Sequence, residues 1–425
     1  MIYEVQSEEK FKFRVDPPLF LPFYNVWGEN AYTVSEPFSY DPFAIGASST
    51  SGSPVVLAGE SFFGFMENCG GRFEYDGSMF LTVTVPKGQR LYASENCNPF
   101  DEWKKYSAAF ADGKQNRDFW SDLEYCTWVE QAKQAALSGV TNSEVMNERF
   151  IYDYLERVKK LSLPCGKFTI DDGWAVGSMR DDTYSLGNWE VDRKKFPNFE
   201  KMIADIKSEG FIPGLWLTPF TFTRDCCLAK ENPSVIGTPY NEEMNWYNIL
   251  PREDILTDYY RKIFEYYTGI GFMKFKLDIS YGPKDEMIEL LRIINGVIKS
   301  INSDVEVETH IPDIFATRYA DTVRINDAAF DPDGNWRKVV SGHYVVCRNS
   351  SPDRILNLDH IGTNAPLSCA NDYLEHLDIL MQYAKESGGY PTVSYLPDIF
   401  SQEVCERVAR EINGLYSKDG KRRDL

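Results

Sequence analysis

The sequence predicts an α/β protein in which a (β/α)8 barrel follows a small β-rich N-terminal domain. Up to about residue 118, short aromatic and β-branched runs are separated by breaks rich in Gly, Pro, Ser and Asn, which is typical of a β-sandwich or part of one. From about Tyr125 onward, eight short apolar runs alternate with longer helical patterns, as in a (β/α)8 barrel. We therefore expect domains at residues 1–118 and 119–425.

The apolar runs give the individual barrel elements. The predicted strands are Tyr125–Glu130, Lys167–Ile170, Ile212–Leu217, Phe272–Asp278, Val305–Thr309, Thr322–Ile325, Arg354–Leu358 and Pro391–Tyr395. No helical pattern of useful length precedes about Asn142, and the predicted helices cover residues 142–161, 196–210, 255–269, 284–301, 370–389 and 401–416. An open, doubly wound sheet is the alternative, but it would require a Gly-rich turn after the first strand, where CTWVEQAKQA has none.

Composition excludes several classes of function. The net charge of −19 argues against a protein that binds nucleic acid or an anionic membrane. We expect no transmembrane helix, since no apolar run approaches about 18 residues, and no signal peptide, since MIYEVQSEEKFKF lacks the pattern. The nine cysteines, an odd number without CxxC, and only four histidines argue against a disulfide framework and a zinc site. We expect a cytoplasmic chain without metal or cofactor.

Charged side chains alternate along the predicted strand FMKFKLD. Lys274, Lys276 and Asp278 share one face of this strand, and the apolar residues take the other. Because helices cover the outside of a barrel, the charged face must line the interior, where burial of an unpaired charge costs free energy. Asp278 falls at the C-terminal end of the strand, where barrel enzymes carry their chemistry. Asp278 and Lys276 are therefore candidate site residues, whereas Lys274 lies deeper.

Three further strand ends carry polar residues. Asp171 and Asp172 close the strand in KFTIDDGW, where a carboxylate pair beside an aromatic residue suits vicinal hydroxyls, although a turn or helix cap is the alternative. In DVEVETH, Glu308 and His310 share the inward face near the mouth. The segment TVRIND adds two more candidates, Arg324 and Asp327, and for Arg324 a structural ion pair is the alternative.

Two carboxylates at the ends of different barrel strands are typical of the catalytic pair of a glycoside hydrolase. One attacks the anomeric carbon, and the other protonates the leaving oxygen and later activates water. Aromatics make up 14% of the chain, as in sugar-binding clefts, although a large core would have the same effect. No phosphate-binding loop, GxSxG elbow or metal-ligand set is present in the sequence.

Together these motifs resemble glycoside hydrolase family 36, the α-galactosidase and raffinose-synthase family of the melibiase clan. The stretch FTIDDGW…RDDTYSLGNWEVDRKKFPN, residues 168–198, is similar to the family signature DDGW…SLGDW…D..KFPNG. GLWLTP at residues 214–219 resembles GLWFEPE, and FKLD at residues 275–278 resembles KWD, which carries the family nucleophile. RIND at residues 324–327 lies where the family has its acid/base Asp.

The resemblance implies a role for each matching residue. Asp278 would be the nucleophile and Asp327 the acid/base. The residues implied in sugar binding are Asp171 and Asp172 on the O4 and O6 side, Lys276 near O3 and O4, and Trp174 and Trp216 as aromatic walls. The strand patterns above add Glu308, His310 and Arg324 as candidate substrate-binding residues. Galactose is the default sugar, and an oligosaccharide or glycoside is the implied partner.

The sequence also departs from the family. His310 replaces a Cys near the sugar O2, so we expect altered recognition at C2, unless His310 caps the next helix or pairs with Glu308. Asn188 replaces an Asp, and GLWLTP lacks the final Glu. The N-terminal region is too short for the family's full β-supersandwich, and we expect its C-terminal β-sandwich to be absent, since few residues follow the eighth strand. A retaining α-glycosidase, α-galactosidase-like, is the expected function. The alternatives are a transglycosylase of raffinose-synthase type and a non-catalytic carbohydrate-binding relative.

Overall fold

A computed structural model describes residues 1–24, 31–43, 51–68, 70–114, 116–177, 186–243, 245–280, 282–325, 336–362 and 370–423. Within these ranges the chain forms two antiparallel sheets followed by a closed barrel of eight parallel strands, which confirms the predicted fold class. None of the helices in these ranges combines the length and the apolar character that crossing a membrane requires.

The N-terminal strands form a sandwich of two antiparallel sheets. They are β1 (Ile2–Glu4), β2 (Glu9–Arg14), β3 (Leu19–Tyr24), β4 (Ala31–Val34), β5 (Phe38–Tyr40), β6 (Ser51–Gly52), β7 (Val55–Ala58), β8 (Ser61–Phe65), β9 (Arg72–Tyr75), β10 (Phe80–Val85) and β11 (Arg90–Glu95). One sheet has the order β1-β11-β8-β7-β3-β4 with β6 beside β3, and the other has the order β2-β10-β9-β5. Alternate residues of β10 are buried between the sheets, as the period of two requires.

The barrel follows in the order β12-β13-β14-β18-β19-β20-β21-β22. The barrel strands are β12 (Glu124–Cys126), β13 (Lys167–Ile170), β14 (Ile212–Leu217), β18 (Lys274–Leu277), β19 (Glu306–Thr309), β20 (Thr322–Arg324), β21 (Ile355–Ile361) and β22 (Tyr390–Val393). A separate antiparallel sheet, in the order β15-β17-β16, consists of β15 (Thr221–Thr223), β16 (Ile236–Asn241) and β17 (Trp246–Ile249). Each predicted barrel strand overlaps an observed one, with differences of up to four residues at the ends.

The helices are α1 (Pro99–Ala108), α2 (Trp128–Ser138), α3 (Asn142–Val145), α4 (Glu148–Lys160), α5 (Phe199–Ser208), α6 (Cys227–Glu231), α7 (Glu253–Ile270), α8 (Lys284–Ile301), α9 (Trp336–Ser350), α10 (Ala370–Ser387) and α11 (Gln402–Leu415). The prediction that no helix precedes Asn142 was wrong for α1 and α2. Helix α1 begins at an Asn98 cap with Pro99 in its first turn. Its Trp103 and Tyr106 side chains pack against β7 and β8, on the outer face of the sheet that contains them.

Two other boundaries differ from the prediction for local reasons. The first barrel strand ends at Cys126 because α2 begins at Trp128, and the left-handed Gly139 ends that helix. The predicted helix over residues 142–161 is two helices, α3 and α4. Each has its own cap, because the Thr141 and Glu144 side chains form a capping box on α3 and Asn147 caps α4.

The barrel interior is filled by ion pairs rather than by aliphatic layers. Lys167 lies 3.1 Å from the Glu306 carboxylate, and the Lys274 ammonium lies 2.5 Å from Glu124 and 2.6 Å from Glu308. Alternation predicted this inward position for Lys274. Burial alone would lower the pKa of Lys274, but the surrounding glutamates outweigh it and raise that pKa above its usual value.

A buried lysine also joins the N-terminal sandwich to the barrel. Lys284, in the first turn of α8, donates to the carbonyl oxygens of Pro42 at 3.1 Å and Gly52 at 2.9 Å. Its ammonium also pairs with Asp313, which follows β19. The two loops that follow β18 and β19 at the mouth are therefore tied to the N-terminal strands.

Candidate active site

The candidate site is centred on Asp278, the first residue after β18. Its backbone N–H donates to Leu217 O at 2.9 Å, which continues the strand pairing, and the chain then turns sharply. Ile279 has a φ of 50°, rare for a β-branched residue, and its N–H donates to Asp278 Oδ1 at 2.9 Å. About 19% of the Asp278 side chain is exposed, so the carboxylate remains accessible from the C-terminal end of the barrel, which we call the mouth.

Side chains from three neighbouring strands contact the Asp278 carboxylate. Trp216 Nε1 on β14 donates to Oδ2 at 2.9 Å. His310 Nδ1, directly after β19, lies 2.8 Å from Oδ1, and Arg324 Nη2 on β20 lies 3.5 Å from the same oxygen. Burial alone would raise the pKa of Asp278, but His310 and Arg324 outweigh it and hold that pKa well below its usual range. The carboxylate is therefore ionised at neutral pH.

A second charged pair lies beside it. Lys276 Nζ on β18 lies 2.6 Å from Oδ2 of Asp171, which follows β13, and Cys126 Sγ on β12 donates to the same oxygen at 3.1 Å. Burial alone would lower the pKa of Lys276, but Asp171 outweighs it and raises that pKa. Burial also raises the pKa of the Cys126 thiol, which therefore stays protonated.

Asp172 completes the polar end of β13. Its backbone N–H donates to Asp171 Oδ1 at 2.9 Å, and its carbonyl accepts from Gln131 Nε2 at 2.8 Å. The residue is 4% exposed. Asp171 and Lys276 are thus paired beside Asp278, and Asp172 follows Asp171 at the same strand end.

Two candidate residues lie away from this mouth cluster. Trp174 is fully buried, stacks on Trp189 at a ring-centroid distance of 6.3 Å, and donates its indole N–H to Trp216 O at 2.9 Å. It packs behind Trp216, and only Trp216 contacts Asp278. Glu308 accepts from Lys274 and from Asn357 Nδ2 at 2.8 Å, which places its carboxylate in the polar layer below the mouth.

The last two candidates are Arg324 and Asp327. Arg324 Nη1 lies 3.1 Å from Asp359 Oδ1, and its other terminal nitrogen contacts Asp278. It therefore bridges two carboxylates at the mouth. Asp327, the candidate acid/base, lies outside the described residues.

Sequence reasoning missed Cys126, Asp359 and His360. Asp359 has a φ of 66°, in the left-handed region that Asp tolerates better than most residues, and His360 Nε2 lies 3.6 Å from its carboxylate. Burial and the nearby Lys276 and Arg324 charges lower the pKa of His360 well below its usual value. The signal was present, because Asp359 directly follows the predicted strand Arg354–Leu358, in the position that Asp278 holds after β18.

Comparisons with known proteins agree with this architecture. The Melibiase family profile matches residues 145–263. The α-galactosidase Mel36A of Lactobacillus acidophilus is 38% identical over 91 residues, and an α-galactosidase of Escherichia coli is 35% identical over 91 residues. Each match covers 21% of this chain and 12% of the relative's length.

Solved structures share the fold over nearly the whole chain. The α-galactosidase TtGalA from Thermus thermophilus, in complex with stachyose, has a TM-score of 0.68 at 14% identity and covers 96% of both chains. The family 36 α-galactosidase AgaB from Geobacillus stearothermophilus has a TM-score of 0.64 at 13% identity and covers 95% of this chain and 61% of its own. Over residues 145–263 the chain is therefore similar to the Melibiase family, and over nearly its whole length it shares the fold of solved α-galactosidases.

Proposed function

We propose that this chain is a retaining α-glycosidase of the α-galactosidase kind, with Asp278 as its nucleophile. One observation carries the proposal. Asp278 is an ionised carboxylate at the C-terminal end of a barrel strand, and donors from neighbouring strands fix its orientation. A nucleophile in this reaction must be unprotonated and held in a fixed orientation, and the same contacts support both requirements.

The chemistry would proceed in two steps. In the first, an Asp278 oxygen forms a bond to the anomeric carbon while the bond to the leaving oxygen breaks, and that oxygen takes a proton from the acid/base, assigned by resemblance to Asp327. In the second, water attacks the anomeric carbon, gives its proton to the same base, and Asp278 leaves as a carboxylate. Each step inverts the configuration of the anomeric carbon, so the two steps together retain the α configuration of the glycoside.

The neighbouring polar groups suit a sugar ring. Asp171 and Lys276 lie beside Asp278, and Asp172 follows Asp171 in the chain. In the proposed reaction these acceptors and this cation would hydrogen-bond the sugar hydroxyls. An α-linked galactoside is the substrate we propose, supported by the α-galactosidase relatives. TtGalA has been solved with stachyose and with p-nitrophenyl α-D-galactopyranoside, and both are suitable first ligands for this chain.

The direct test is hydrolysis of a panel of aryl α-glycosides, with the β-galactoside as a negative control. NMR of the first sugar released should show the α anomer. The Asp278→Asn variant should lose at least about 1,000-fold in kcat, whereas the exposed Asp254→Asn should match the wild type. Failure to cleave any α-glycoside, or first release of the β anomer, would refute the proposal.

Substrates with different leaving groups test Asp327. Asp327→Ala should slow alkyl and oligosaccharide glycosides far more than nitrophenyl glycosides, because activated leaving groups need little proton donation. An equal loss on both kinds of substrate would assign the acid/base to another residue. Addition of acceptor sugars in the same assay measures transfer to sugar against transfer to water.

We also propose that the chain works in a reducing compartment, the cytoplasm. The seven cysteines in the described ranges are all free thiols, and six of them are partly or fully buried. Expression with and without export, followed by titration of free thiols and activity, tests this assignment.

A further inference from the structure

Three polar side chains form a chain at the mouth of the barrel. Ser280 Oγ lies 3.1 Å from His310 Nε2, and His310 Nδ1 lies 2.8 Å from Asp278 Oδ1. Ser280 and His310 are 7% and 4% exposed, so the arrangement is shielded from solvent. Asp278 and Ser280 belong to one turn after β18, while His310 comes from the next strand.

The contacts on the two sides of the ring indicate which nitrogen of His310 carries a proton. The Ser280 N–H also points at His310 Nε2, in a long hydrogen bond of 3.4 Å. Arg324 Nη2 lies equally far, 3.4 Å, from Nδ1, but the much shorter contact of Nδ1 is with the Asp278 carboxylate at 2.8 Å. An ionised carboxylate only accepts, so Nδ1 carries a proton and, in a neutral ring, Nε2 accepts from Ser280. From Nδ1 that proton is donated to Asp278 Oδ1.

The two oxygens of Asp278 consequently differ. Oδ1 accepts from His310 Nδ1 and from the Ile279 N–H, and Arg324 lies 3.5 Å away, whereas the described contact of Oδ2 is the Trp216 indole. Oδ2 therefore keeps more of its acceptor capacity for a new bond. The charged groups that face the carboxylate are Lys276 on β18 and Arg324 on β20, and the imidazole of His310 faces it from beyond β19.

We propose that His310 is a positioning residue for Asp278, that Ser280 fixes the tautomer of His310, and that Oδ2 is the attacking oxygen. The inference rests on the proposed function. When the Oδ2 bond to the anomeric carbon forms, Oδ1 becomes the carbonyl oxygen of the glycosyl ester. When that bond breaks in the second step, the returning negative charge is stabilised by the His310 N–H. His310 should therefore matter most for hydrolysis of the glycosyl-enzyme.

Two substitutions of similar size separate positioning from packing. The amide nitrogen of His310→Asn falls near the place of Nδ1 and keeps a donor to Asp278, whereas that of His310→Gln falls near Nε2 and does not. We expect His310→Asn to stay within about fivefold of the wild-type kcat, and His310→Gln to lose about 10- to 100-fold with a lower KM, because the intermediate accumulates. The acid limb of kcat/KM should move to higher pH in His310→Gln only.

Equal losses of kcat in His310→Asn and His310→Gln, with unchanged pH profiles of kcat/KM, would show that His310 only fills space. That result would overturn the proposal. The proposal would also be overturned if the wild type hydrolysed an aryl acetate and the Ser280→Ala variant did not. Ser280 would then act as a nucleophile activated by His310 and Asp278.

A measurement that needs no turnover keeps this inference separate from the proposed function. The chain has only four histidines, so imidazole ¹⁵N–¹H correlation spectra are simple to assign by substitution. In the wild type, His310 should show the neutral tautomer with the proton on Nδ1, and Asp278→Asn should shift that proton signal. An Nε2–H tautomer would overturn the positioning contact even in an active enzyme, whereas an inactive protein with the Nδ1–H tautomer would refute the glycosidase proposal alone.

Discussion

The ammonium of Lys276 lies 2.6 Å from the carboxylate of Asp171, and these two side chains are only 4% and 3% exposed. They come from different barrel strands and meet directly beside Asp278. A buried ion pair of this kind adds little net stability over an apolar pair, but breaking it leaves one charge without compensation. Its value to the protein is therefore an ordered pair of polar groups at the mouth.

Removal of one member of this pair should be costly. We expect Lys276→Met to lower the free energy of unfolding by about 3–5 kcal/mol, and the double variant with Asp171→Leu to recover much of that loss. Urea unfolding measures both. The exposed pair Lys201–Asp205 is the control, where Lys201→Met should cost less than about 1 kcal/mol. Similar losses at the two sites would show that Asp171 is compensated by other groups.

The indole of Trp216 should be needed for catalysis through its N–H group. Trp216→Phe keeps an aromatic ring but removes the donor to Asp278 Oδ2. A hydrogen bond to a charged group contributes about 1.5–3 kcal/mol, so kcat/KM should fall about 10- to 100-fold. Trp103→Phe, which is buried in the N-terminal region, should leave the kinetics unchanged. Wild-type kinetics in Trp216→Phe would mean that the other donors suffice to orient the carboxylate.

Asp122, just before β12 in the chain, should make stability depend on pH. Burial raises its pKa to about 7, with Lys167 opposing and Glu306 adding to the shift, and Oδ1 has no donor within the described ranges. The folded protein therefore holds a proton that the unfolded chain has lost between about pH 4 and 7. The free energy of unfolding should fall as pH rises through that window.

The variant Asp122→Asn removes this titration. Its stability relative to the wild type should increase from pH 4 to pH 7, by about 1–3 kcal/mol in total, and then stay constant. Thermal unfolding at a series of pH values measures the difference. The exposed Asp118→Asn provides the control, and a wild-type-like pH dependence in Asp122→Asn would assign the titration to another group.

Lys284 should determine how firmly the N-terminal sandwich holds the barrel. Lys284→Met removes the donors to Pro42 O and Gly52 O and leaves Asp313 without its cation. We expect a loss of about 2–4 kcal/mol in the free energy of unfolding. Hydrogen exchange should quicken in β6 and at residues 41–43 more than in β10. Uniform faster exchange in all elements would indicate global destabilisation instead of a local release.

Much of the fold was determined by sequence periodicity. Charged residues spaced two apart in FMKFKLD must face the same side, and in a barrel covered by helices that side is the interior, where Lys274 and Lys276 are found. The lengths of the apolar runs separated strands from helices. The ends of elements were less certain, because caps such as Asn98 and Asn147 act locally and interrupt patterns that look continuous.

The candidate site, like the fold, was only partly predictable from the sequence. Strand ends marked Asp171, Asp172 and Asp278 as neighbours, since the carboxyl ends of parallel strands meet at one rim. Only the tertiary structure decided that Trp216 contacts Asp278 while Trp174 packs behind it, that Glu308 serves the buried layer, and that Arg324 bridges to Asp359. Alternation gives the face on which a side chain lies, but its partner depends on strand order, barrel tilt and rotamer, which the packed molecule sets together.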